Sequence, residues 1–88
     1  MEILVGQKEI REMLGYVAVN RKPGEEVILK ARGQHIKRAF DFAEILLRSF
    51  LTGYKYGEIK PSTEFFTDEN GKDRRVTSVE IQLVPTEG

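Results

Sequence analysis

The chain has 88 residues, with fourteen basic and fourteen acidic side chains, one histidine and no cysteine. That length suits one domain, residues 1–88, because so short a chain buries only about 60–65% of its unfolded surface and cannot divide it between two cores. Without thiols, disulfide staples and thiolate metal sites are excluded, and no apolar run nears the roughly 20 residues that span a bilayer, so a soluble, cytoplasmic protein is expected.

In chain order, Ile3-Leu4-Val5 is a short β-prone run ended by Gly6 and reads as a strand buried on both faces. Ile10, Met13, Leu14 and Val17 then recur at the spacing of one helix face, with Glu9 and Glu12 in the first turn, where carboxylates suit the helix dipole. Gly15 weakens this helix by up to about 1 kcal/mol relative to alanine, and Pro23-Gly24 stops whatever follows Asn20. A second buried strand, Val27-Ile28-Leu29, runs through Lys30 and Ala31 into Arg32-Gly33, where a long helix begins. Its apolar stripe takes in Ile36, Ala39, Phe40, Ala43, Leu46, Leu47, Phe50 and Leu51, and Thr52-Gly53 ends it. Phe42 and Ile45 fall off that stripe, which makes them candidates for a dimer interface or for packing against the later strands.

After Gly53 the pattern turns strand-like, first over Tyr54 to Thr67 and then over Arg74 to Val84, where Thr77, Val79, Ile81 and Leu83 alternate with polar residues. Asp68-Glu69-Asn70-Gly71 joins the two, and Asn-Gly is a strong hairpin signal because both residues tolerate positive φ. Gly57 and Pro61 confine the first of these strands to an edge or bulged role. Phe65 and Phe66 are adjacent, so a regular strand cannot turn both inward. Pro85 to Gly88 read as a loose tail. The order β-α-β-α-β-β predicts an α/β two-layer sandwich: a four-stranded mixed sheet with two helices on one face and a protruding hairpin arm made by the last two strands.

Neutral overall, the chain is uneven in detail. Between Glu26 and Asp41 there is no acid, while Lys30, Arg32, Lys37 and Arg38 are cationic and His35 is titratable. Cations in the first turn of a helix oppose its dipole, and a bound anion, held also by the free N–H groups there, would resolve the conflict. Lys72, Arg74 and Arg75 lie beyond the Asn70-Gly71 turn, on an arm of about eight residues that reaches some 26 Å and could follow a minor groove about 6 Å wide. The competing account of those charges is an edge protected from aggregation. His35, the sole histidine, cannot form a multi-histidine metal site, and Asp41 with Glu44, the one carboxylate pair that could serve a hydrolase, is explained more simply by Arg38 and Arg48. There is no nucleophile elbow, phosphate-binding lysine loop or nucleotide fingerprint, so neither an enzyme nor a cofactor nor a small-molecule substrate is expected.

The segment from Lys30 to Ala39 resembles the Alba family of archaeal chromatin proteins, whose KARG-x-x-I-x-(K/R)-A signature it matches. The resemblance opens with Leu4-Val5-Gly6 and continues through Asp41, Glu44-Ile45, Phe50 and Arg75-Val76-Thr77-Ser78-Val79-Glu80-Ile81. It implies a β-α-β-α-β-β dimer that binds double-stranded DNA and RNA with little sequence preference and coats the chromosome. It also implies a central saddle of Lys8, Lys30, Arg32, Lys37 and Arg38 from both subunits, with Gly33, Gln34 and His35 beside phosphate. Lys72, Arg74 and Arg75 would grip the adjacent grooves, and Phe50 would join dimers along nucleic acid. Gln7 stands where members often carry an acetylated lysine, and Gln34, Leu47 and Ser49 replace residues often basic or polar. These losses of charge predict weaker DNA binding than a typical member has, or heterodimerisation with a more basic paralogue.

Overall fold

Apolar residues alternate with polar ones through the central strands, and the fold converts that alternation into one covered and one open sheet face. The computed structural model describes residues 1–86. Its elements are β1 (Glu2–Leu4), α1 (Ile10–Asn20), β2 (Val27–Arg32), α2 (Ile36–Ser49), β3 (Tyr54–Thr67) and β4 (Asp73–Pro85), with a 3-10 turn at Gly33–His35 leading into α2. The order along the four-stranded sheet is β1-β2-β4-β3. β1 and β2 are parallel and the other two pairings antiparallel, so the expected mixed sheet is present.

Ile3, Leu29 and Ile81 are aligned across the sheet, and with Val27, Ala31, Val79 and Leu83 they form its covered face. Met13 and Val17 of α1 and Ala39, Phe42, Ala43 and Leu46 of α2 close over them, so both helices lie on one side. The expectation that the first two strands are buried on both faces is therefore wrong. Leu4 is 71% exposed and Ile28 only half-buried, because nothing covers the other side.

The α2 stripe is also rotated from its expected position. Phe42 is wholly buried, whereas Phe50, placed on the stripe by spacing, is 40% exposed. The helix ends at Ser49, and Leu51 takes the last core position instead. The Phe42 ring has no surface left for a partner, which removes it from any dimer interface; of its two expected roles, packing inside the subunit is the one realised.

β3 is an edge strand with a register shift between Tyr56 and Ile59, as Gly57 and Pro61 suggested. A Cβ on Gly57 would lie 2.6 Å from Gln82 Oε1, the atom that accepts the Glu58 N–H at 3.0 Å, so the bulge needs glycine to keep that bond. Past the Arg32–Ser78 pair, β3 and β4 pair only with each other, from Thr63–Thr77 to Thr67–Asp73. That free ribbon is about five residues, or roughly 17 Å, shorter than the eight expected. It still lengthens the molecule to 51 Å and gives a radius of gyration of 14.6 Å, against about 12 Å for a compact chain of this length. The carboxyl end is not loose up to Thr86: Pro85 pairs with Tyr54, and the Thr86 N–H and hydroxyl both donate to the Gly53 carbonyl, at 2.7 and 2.8 Å. The rest of the expected tail, residues 87–88, lies outside the described residues.

Truncating the largest wholly buried side chain tests this core. Phe42→Ala should cost about 3–5 kcal/mol, a large part of the roughly 5–15 kcal/mol that such domains have, read as a lower midpoint in urea unfolding. Phe42→Asp should unfold the chain outright; a folded Phe42→Asp monomer by circular dichroism and light scattering would place the ring at an interface after all.

Candidate nucleic-acid interface

At the end of β2 the chain must turn sharply from sheet to helix. Gly33 makes the turn at φ +56°, a conformation that side chains disfavour, and the 3-10 turn then delivers Ile36 into α2. No acid lies in the first turn of α2 and no side chain caps it. The Arg38 guanidinium donates to the Lys8 carbonyl at 2.8 Å, tying the loop before α1 to the start of α2. That bond gathers Lys8, Gln34, His35 and Arg38 at one end of the molecule, with Lys8 and Gln34 exposed and His35 and Arg38 half-buried. Lys37 is exposed there too, but its Nζ lies 3.0 Å from Asp41 Oδ2 one turn along the helix.

Lys30 and Arg32 are elsewhere. Alternation along β2 sends Leu29 and Ala31 into the core, so Lys30 and Arg32 project from the open face, where the sheet brings acids to them. Lys30 Nζ is 3.3 Å from both Glu2 and Glu80, and Arg32 Nη2 is 3.0 Å from Glu64. Hydrogen bonding to Glu2 first, and then to Glu80, raises the Lys30 pKa, so it stays charged throughout the neutral range. The expected saddle is thus divided: Lys8, Lys37 and Arg38 crown the loop end, and Lys30 and Arg32 sit on the sheet among carboxylates. The acid-free stretch of sequence is not acid-free in space. Strand alternation could have put Glu80 on the same face as Lys30, but their contact depends on the register.

The arm carries the remaining cations. Its turn is organised by Asp68, whose carboxylate accepts the N–H of Asn70 at 2.9 Å, the N–H of Lys72 at 3.0 Å and Arg74 Nε at 2.8 Å. Gly71 alone takes positive φ, +78°, so Asn70 does not use the freedom assigned to it. The turn is a local bend closed by one left-handed glycine rather than a two-residue loop. Lys72 and Arg75 are exposed and make no ion pair among the described residues, whereas Arg74 is held by Asp68. Phe65 faces Arg75 across the ribbon and Phe66 faces Arg74; both rings are exposed.

Of the proposed contact residues, Ile45 is half-buried on the flank of α2 that also carries Arg38, and Phe50 lies at the helix end, where its carbonyl accepts from Arg21 at 3.1 Å. The opposite flank meets β3, where Glu44 lies beside the Tyr56 hydroxyl and, with burial as the main cause, raises its pKa. On the same side of β3, Ile59 is 42% exposed and was not anticipated from sequence. Among the described residues no three potential metal ligands cluster, and no helix is long and apolar enough to cross a membrane.

Residues 2–63 match the sequence profile of the Alba family, a stretch that ends where the free ribbon begins. The DNA/RNA-binding protein Alba of Methanoculleus marisnigri is 42% identical over 82 residues, covering 92% of this chain and 89% of the relative. That of Methanocella arvoryzae is 39% identical over 82 residues, covering 92% and 85%. The solved structure of Alba from Thermoplasma volcanium superposes with a TM-score of 0.80 at 36% identity, covering 96% of this chain and 99% of that one.

The turn should respond to acid with a defined sign. Bonding to Arg74, and then to the Lys72 and Asn70 amides, holds the Asp68 pKa below the ordinary aspartate value. Its contribution is complete above that ordinary value and is lost as pH falls through the lowered one. The Asn70 and Lys72 amide signals should therefore shift, and their protection from hydrogen exchange relative to a free chain fall, only below the ordinary aspartate range, while core amides stay protected. Asp68→Asn should reproduce the change at neutral pH; amides indifferent to both would mean that the turn holds without the carboxylate.

Proposed function

The chain belongs to the Alba family, and from that premise we propose that it is a non-enzymatic protein that binds double-stranded nucleic acid as a dimer, through phosphates, with little sequence preference. The observation that carries this reading is the bond from Arg38 to the Lys8 carbonyl. It fixes the loop before α1 beside the start of α2, so that cations distant in sequence address one ligand, beside helix N–H groups that have no acid of their own. The second contact is the arm, where Lys72 and Arg75 lack acidic partners among the described residues. Phosphate contacts position a protein without reading bases, which supports a chromosome-coating role in the cytoplasm on either DNA or RNA duplexes.

Lys30 and Arg32 enter this scheme conditionally. Each must exchange a carboxylate for a phosphate, which lowers the affinity they add. This favours weak binding and, with the neutral net charge and Gln7, pairing with a more basic paralogue. The dimer face in this reading is the side of β3 next to α2, where Ile59 is exposed on the face that also carries the half-buried Tyr56.

Two measurements test the reading. Log affinity for matched DNA and RNA duplexes should fall with log salt by about 0.9 per phosphate neutralised. Glu64→Gln should tighten binding and steepen that slope by up to about 2, since a dimer frees two copies of Arg32; Arg32→Ala should do neither harm nor good beyond a few-fold while Arg38→Ala weakens binding on every sequence. A chain that binds neither duplex would leave the paralogue-partner reading as the better one. In light scattering, Ile59→Asp should convert dimer to monomer and Ile45→Asp should not; the reverse result would move the interface to the α1 flank.

A further inference from the structure

Phe65 and Phe66 have no role in the scheme so far, and they lie beyond the residues matched to the family profile. Phe65 is 77% exposed and Phe66 48% exposed, on a ribbon whose other residues are nearly all polar. As neighbours in an extended strand they project from opposite faces. Each has an arginine directly across the ladder: Arg75 opposite Phe65, Arg74 opposite Phe66. Each face of the arm therefore presents one aromatic ring beside one guanidinium.

We propose that these pairs are two base-stacking platforms, one on each face of the arm, that take unpaired bases of a single-stranded nucleic acid. The inference rests on the nucleic-acid reading above and adds a class of ligand to it. An exposed aromatic ring has a flat face on which a base can stack, and within a duplex the flat faces of the bases are already stacked on each other. The grooves present only base edges. A base out of its stack can lie on the ring whatever its identity, with its phosphate on the adjacent cation. The charges agree with that arrangement. Thr67 and Asp73 share a face with Phe65 and line a shallow hollow with it, whose carboxylate can accept a base N–H, while Arg75 on that face has no acid partner among the described residues. Arg74 is held in place by Asp68, so the guanidinium beside Phe66 is already fixed before any ligand arrives.

The chain has no tryptophan, so Phe65→Trp introduces a single reporter. Its fluorescence should be quenched by an unstructured twelve-nucleotide RNA, and by the DNA of the same sequence, and not by the matched duplex. Replacing both rings, F65L with F66L, keeps apolar side chains suited to a strand but removes the π faces. Single-strand affinity should then fall by about 10-fold or more, with duplex affinity within about twofold and thermal unfolding unchanged. Equal losses on single strand and duplex would overturn the proposal by making the rings part of duplex binding. Unchanged affinity for both would overturn it by making the rings mere strand formers. If the wild-type chain binds duplex but not single strand, the platforms fail alone; if it binds neither, the nucleic-acid reading fails with them.

Discussion

Both helices lie on one side of the sheet, and most of what distinguishes this molecule follows from that one-sided cover. A strand whose odd residues are buried must expose its even ones, so Leu29 and Ala31 in the core commit Lys30 and Arg32 to the opposite surface. The same rule commits Glu80 and Gln82 of β4. The open face is thus a polar ladder in which the neighbours of each cation are chosen by strand register, not by sequence proximity. Gln82 extends the ladder by donating to Glu26 at 2.7 Å while accepting from the bulged Glu58.

Beyond the reach of β2 the architecture changes character. The body has two layers and a continuous core, whereas the free ribbon has neither, and an isolated two-stranded hairpin is marginal in water. It persists as the extension of strands anchored at Val79, Ile81 and Leu83, and because Asp68 closes its far end with three hydrogen bonds. Its side chains are therefore free to serve contacts rather than packing. The loop end differs again: there Arg38 and the Lys8 carbonyl hold two segments together through a single exposed bond.

The element order, the hairpin and the edge role of β3 were legible because each depends on local pattern: helical spacing in α1, alternation in β4, and Gly57 and Pro61 in β3. The positions of individual side chains were legible only in part. Ile3-Leu4-Val5 looks uniformly buried since composition does not reveal that one face is left bare. Phe42 looked peripheral because the helical stripe was centred one flank away from the face that α2 turns to β2 and β4. Lys30 and Arg32 were expected as part of a free cationic cluster and instead stand among acids, since Glu2, Glu64 and Glu80 arrive from other strands, far from them in sequence. For the arm, the cations were visible in sequence, but the cross-strand match of each ring to an arginine required the register.

The carboxylates on the open face also bear on how the protein behaves in concentrated electrolyte. A basic protein binding a polyanion is driven largely by the ions it sets free, and that drive fades as the medium grows richer in salt. Here Glu2, Glu64 and Glu80 act as counterions built into the chain: they neutralise Lys30 and Arg32 in place and cannot diffuse away. Such a surface forgoes tight binding in dilute buffer, and in return its residual affinity changes less as salt rises. It also leaves the isolated molecule without net charge, so that it carries no field of one sign to attract stray polyanions from a distance.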